Sequence, residues 1–91
     1  KELFVKPKGI LSLQKHHHRA EHWLVTQGNP KITLNKDSFV KKPDEHIFIP
    51  LESIHRIENP GKKPVKIMES QLGSILKESD IVRYKDKYGR V

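Results

Sequence analysis

The chain has 91 residues, enough for one small domain with a modest core, and its lack of cysteine excludes disulfides, thiolate metal sites and cysteine nucleophiles while pointing to a reducing, cytoplasmic setting. A formal charge of +7 suits an anionic partner, but the lysines are scattered through apparent turns and only one Trp, two Tyr and three Phe could stack on bases, so nucleic acid is not expected. No apolar run approaches a membrane span, and no charged-then-apolar secretory segment opens the sequence, so no membrane partner is expected either.

In chain order, "LSLQKHHH" alternates as a strand, placing Ser12, Gln14, His16 and His18 on one face and Leu11, Leu13, Lys15 and His17 on the other. "HHRA" serves as the turn into a strand over 21–26, closed by "QGNP". Further strands follow at 31–34, 46–49, 55–57, 65–71 and 80–84, separated by "KKPDE", "PLES" and "NPGKKP". The strongest helical alternative, "SQLGSILKESD", is interrupted by Gly73. Short strands with Gly/Pro turns about every ten residues predict an all-β sandwich or barrel, the jelly roll among the options.

Four of the six histidines fall between Ser12 and Trp23. A purification tag is a poor explanation, because only three are consecutive and they sit inside a patterned strand. A metal needs lone pairs aimed into one volume, and a strand supplies two such side chains at alternate positions. Gln14 and His16 meet that condition, and an antiparallel return brings Glu21 beside them. His55, opening a strand after "PLESI", is the candidate fourth ligand. Two imidazoles, an amide and one carboxylate would leave a divalent ion net positive and Lewis-acidic. Trp23 shares the Glu21 face and is expected in the core, while His17 and His46 read as solvated surface. If Gln14 and His16 face inward, Leu11 and Leu13 face outward as an apolar patch, and a homodimer is expected.

The spacings resemble the cupin motifs. Gln14-x-His16, four residues, Glu21, six residues and Gly28 matches the first; Pro50-x-Glu52, two residues, His55, three residues and Asn59 matches the second. Glutamine stands in place of the first histidine and Glu52 in place of the turn glycine. "LSLQKHHHRAEHW", "IPLESIHRIENPG" and "DIVRYKDKYGR" are moreover similar to the C-terminal cupin domain of type II phosphomannose isomerases, a likeness running from about Val5 to Arg90. It implies an all-β, cupin-type jelly-roll barrel (double-stranded β-helix), incomplete at its N-terminal edge. Residues 1–91 are expected to form a single cupin domain, a C-terminal fragment of a longer chain with a fused or partner guanylyltransferase domain.

The resemblance implies interconversion of mannose 6-phosphate and fructose 6-phosphate, supplying activated mannose for GDP-mannose and polysaccharide synthesis. Gln14, His16, Glu21 and His55 would be the metal ligands. Zinc is the expected ion, with manganese, iron, cobalt and nickel compatible with the same donors. His18, His22 and Glu69 are candidates for the catalytic base, which the sequence does not rank. Arg19, Arg56, Arg83 and Arg90 are candidates for binding a phosphorylated hexose, although arginines more often sit exposed or pair with acids. The competing reading is a non-catalytic, sugar-phosphate-binding or dimerising appendage of a mannose-1-phosphate guanylyltransferase. A metal-binding sensor is a third, disfavoured by the lack of a DNA-reading helix.

Overall fold

The computed structural model describes residues 1–73 and the backbone of residues 81–84. Two antiparallel sheets face each other. One has the order β1-β8-β3-β6, built from Glu2–Val5, Val65–Gly73, Arg19–Gln27 and His46–Ile49. The other has the order β5-β4-β7-β2-β9, built from Asp37–Val40, Lys31–Leu34, Ile54–Glu58, Leu13–His16 and Ile81–Tyr84. No helix occurs among the described residues, and so none there is long and apolar enough to cross a membrane. The all-β, cupin-type barrel expected from the motifs is the fold observed.

The inner faces follow from the two-residue period. Along β3, Arg19, Glu21, Trp23 and Val25 point inward and are buried. Their neighbours on β8 run in register, with Val25 opposite Ile67 and Trp23 opposite Glu69. The interior therefore changes character along the strands. At one end Val5, Val25, Ile32, Ile47, Ile57, Val65 and Ile67 form an apolar core closed by Trp23 and Ile49. Each such side chain contributes roughly 1.5–3 kcal/mol on burial. At the other end the inward positions are Gln14, His16, Arg19, Glu21, His55 and Glu69, and all but Gln14 are buried.

Two motif residues are structural. Gly28 turns the chain out of β3 at φ +83°, where a Cβ would lie 2.8 Å from Val65 Cγ2 and 2.9 Å from the Pro64 carbonyl oxygen. Asn59 is 2% exposed; its Nδ2 donates to the carbonyls of Val5 at 3.0 Å and Lys63 at 2.7 Å, and its Oδ1 accepts from Gly61 N at 3.1 Å. It thereby ties β1 to the β7–β8 turn. Glu52, in place of the motif glycine, takes the same left-handed region, φ +67°, at a cost of about 1–2 kcal/mol for an L-residue. Its amide donates to the His16 carbonyl at 2.9 Å, and its carboxylate meets His17 Nδ1 at 2.9 Å and Lys15 Nζ at 3.7 Å. The departure from glycine is accommodated on the surface and leaves the β2–β7 connection intact.

One facing expectation is corrected. Leu11 does not pair with Leu13 on the outside: it packs against the core and lines the interior cavity. Regular β2 begins only at Leu13, and Leu11 is held earlier by its amide donating to the Ile57 carbonyl at 3.0 Å. Extrapolating the strand period backwards through this irregular stretch fails. Among the described residues, the large apolar side chains exposed on strands are instead Phe4, Val40, Phe48, Met68 and Leu72, four of them on the outer face of the β1-β8-β3-β6 sheet.

Candidate metal centre

At the polar end, three elements converge. β2 contributes Gln14 and His16, β3 contributes Glu21, and β7 contributes His55. Gln14 and His55 are direct partners across the β2–β7 ladder. One ligand atom each from His16, Glu21 and His55 lies within 4.8 Å of the others. The closest pair is His16 Nε2 and Glu21 Oε2 at 3.1 Å. Gln14 lines a cavity of about 120 Å³ together with Glu21 and His55; His16 does not line it. Gln14 Nε2 donates to Ser12 Oγ at 3.1 Å, leaving its carbonyl oxygen as the donor a metal could use.

The surroundings set the charge state. Burial pushes the Glu21 carboxyl upward, but hydrogen bonding with His16, the charge of His55 and hydrogen bonds with Trp23 and Glu69 outweigh it, holding the group at about 2. Burial, helped by His16 and Arg19 and opposed by Glu21, lowers His55 to about 4. The site thus holds an ionised carboxylate beside a neutral imidazole at neutral pH, the states in which these groups bind a metal. His55 Nε2 is buried without a hydrogen-bond partner. An unpaired imidazole nitrogen in a polar pocket fits a missing ligand, and the N/N/O/O set suits zinc and its divalent neighbours. Trp23 supports the site twice: its Nε1 donates to Glu21 Oε1 at 2.9 Å, and its ring meets His55 edge-on at 5.4 Å between centroids.

The remaining candidates divide. Glu69 is 7% exposed and lines the cavity; burial raises its pKa, and the nearby Glu21 charge adds to this against the hydrogen bond from Gln71. Arg19 and Arg56 also line the cavity. Arg56 does so although His55, its neighbour, points inward; its Nε is buried and without a hydrogen-bond partner. His22 lies on the outer face of β3 against His46, with 3.1 Å between ring nitrogens. His18 is exposed in the β2–β3 turn and does not line the cavity. Arg83 stands opposite Gln14 in the β2–β9 register, and Arg90 lies outside the described residues. Ser12 and Lys1 also line the cavity; neither was a site candidate from the sequence, and Lys1 carries no motif signal.

A two-sheet barrel with His and Glu side chains converging at its polar end defines a cupin-type domain. The fold is shared with the cupin domain of Schizosaccharomyces pombe Cnp3, at a TM-score of 0.77 and 19% identity over 80% of this chain and 53% of that one. The family described as mannose-6-phosphate isomerase C-terminal matches residues 1–86, and the chain belongs to that family. Among its relatives, the mannose-1-phosphate guanylyltransferase of Escherichia coli K12 is 50% identical over all of this chain. The alginate biosynthesis protein AlgA of Pseudomonas fluorescens is 49% identical over 99% of it. The chain spans 19% of the length of each of these relatives.

Proposed function

We propose that this domain is a metal-dependent aldose-ketose isomerase acting on mannose 6-phosphate and fructose 6-phosphate, next to a guanylyltransferase domain of the kind its relatives are named for. The observation that carries the reading is the convergence of His16, Glu21 and His55 beside Gln14, with the Glu21 carboxylate ionised and the His55 imidazole neutral. These four residues would hold the ion, with zinc as the proposed metal. When bound, a divalent cation supplies Lewis acidity toward a carbonyl and its neighbouring hydroxyl.

The reaction moves a proton between C1 and C2 through an enediol, and the chain's residues supply the rest. Glu69 is the cavity-lining candidate for the proton-transferring group: a carboxyl with a raised pKa works closer to neutrality than an ordinary one. Arg56, which lines the cavity and whose Nε has no hydrogen-bond partner, is suited to the phosphoryl group. His22, on the opposite face of β3, reaches neither.

The printed name of the Escherichia coli relative gives only guanylyltransferase activity, which favours a second reading, a non-catalytic sugar-phosphate-binding appendage. Incubating the metal-loaded domain with fructose 6-phosphate and following mannose 6-phosphate by NMR separates the two. Turnover that vanishes in Glu69→Gln supports the isomerase; no turnover with one bound ion per chain supports the appendage.

A further inference from the structure

The ligand cluster already contains a cation. Arg19, 4% exposed, places a terminal guanidinium nitrogen 3.2 Å from His16 Nε2 and 3.1 Å from Glu21 Oε2, while its Nε donates to that same oxygen at 3.1 Å. With His16 Nε2 and Glu21 Oε2 themselves 3.1 Å apart, the three atoms form a nearly equilateral triangle. We propose that Arg19 is the resident counter-ion of the metal-free site, that a divalent ion must displace it, and that the displaced guanidinium then serves the anionic ligand in the adjoining cavity. The inference rests on the metal-site reading given above.

Lone-pair chemistry makes the two states exclusive. A neutral imidazole nitrogen has one in-plane lone pair. Arg19 can only donate, so a guanidinium 3.2 Å from His16 Nε2 occupies the side of that nitrogen that a metal bound there would need. Charge points the same way. A carboxylate as buried as Glu21, 1% exposed, requires a partner cation, and Arg19 supplies it without a metal. A divalent ion among the same ligands would repel a guanidinium held a few ångströms away at low dielectric.

The displaced side chain has somewhere to go. Arg19 already lines the cavity shared with Arg56 and Glu69, so release from His16 and Glu21 turns its donors toward the space where a phosphoryl group would sit. Guanidinium geometry suits bidentate contact with such a group. Binding is therefore ordered, metal first and anion second. By linkage the anion must strengthen metal binding by the same factor.

The experiment measures Mn²⁺ affinity by chelator competition on the 91-residue chain and on Arg19→Met, with and without sulfate as the tetrahedral anion probe. Removing the competing cation should raise Mn²⁺ affinity about tenfold or more, within the usual range of coupling factors. Sulfate should tighten Mn²⁺ binding in the wild type and have no effect in the variant. Unchanged or weaker Mn²⁺ binding in Arg19→Met would show that Arg19 only braces the ligands and would overturn the proposal, leaving the metal site standing. Binding by neither protein would remove the metal site and the proposal together. Should the variant fail to fold, the wild type decides alone: the Arg19 Nε–H resonance, protected from exchange without metal, should become fast-exchanging on addition of diamagnetic Zn²⁺. Persistent protection in the metal-loaded protein would contradict the displacement.

Discussion

Gln14 and His55 face one another as direct partners across β2 and β7, so the first residue of one motif is registered against the histidine of the other by backbone hydrogen bonding. An amide oxygen is the weakest of the four proposed ligands, and its value depends on being held there. Gln14→Leu should preserve the ladder, which uses only main-chain atoms, and weaken zinc binding by at least about tenfold, the lower end of what even outer-shell partners contribute. Calorimetric titration checks this; unchanged affinity would assign Gln14 to packing alone.

Gly28 sits at φ +83° with the Pro64 carbonyl and Val65 methyl occupying the space of any Cβ. Gly28→Ala therefore meets both a backbone penalty and a clash, and should destabilise the domain by about 1–3 kcal/mol. A urea midpoint unchanged from wild type would show that the β3–β4 turn relaxes freely.

Glu52→Gly tests the opposite substitution. It removes a left-handed L-residue and sacrifices only exposed contacts with His17 and Lys15, which contribute little in water. Stability should stay the same or rise, with metal affinity unaffected. A clear loss in urea unfolding would show that the surface carboxylate fastens the turn.

Acid should weaken the metal-free fold before it weakens most carboxylate contacts. His55 is held down from 6.5 to about 4 by burial, so between those values the unfolded chain binds a proton that the folded protein refuses. Stability is full above pH 6.5 and falls as pH drops toward 4, by at most about 3 kcal/mol from this group. Glu21, held near 2, adds a further loss below its ordinary 4.5; Glu69, raised, opposes it. Urea midpoints at pH 7, 5.5 and 4.5 should therefore decline in that order, and an increase on acidification would contradict the burial of a neutral His55.

Much of this arrangement was legible where local pattern and tertiary role coincide. The strands at 31–34 and 46–49 carry clear turn signals on both sides and have the bounds expected. β5 escaped notice because "DSFV" opens with two polar residues, although Asn35 at φ +55° marks a tight hairpin. β1 is only four residues long and pairs with β8 from the far end of the described chain, a contact no local window contains. The convergence of Gln14, His16, Glu21 and His55 was legible from spacing because a strand's alternation is rigid over two residues and a hairpin returns the chain predictably. Leu11 was not, since the alternation stops before Leu13. Arg19 belonged to the turn in the sequence reading, yet alternation backwards from Trp23 and Glu21 places it inward, as observed. That it engages His16 and Glu21 depends on side-chain packing that no period encodes.

The most direct test is the metal content of the purified chain after dialysis against zinc, measured by elemental analysis for the wild type, His16→Ala, His55→Ala and His22→Ala. One ion per chain is expected in the wild type and in His22→Ala, whose ring lies on the outer sheet face, and none in the other two. Zinc binding should also raise wild-type stability by roughly 2.7 kcal/mol at a hundredfold excess over Kd. Absence of zinc from the wild type, or its retention in both His16→Ala and His55→Ala, would contradict the site.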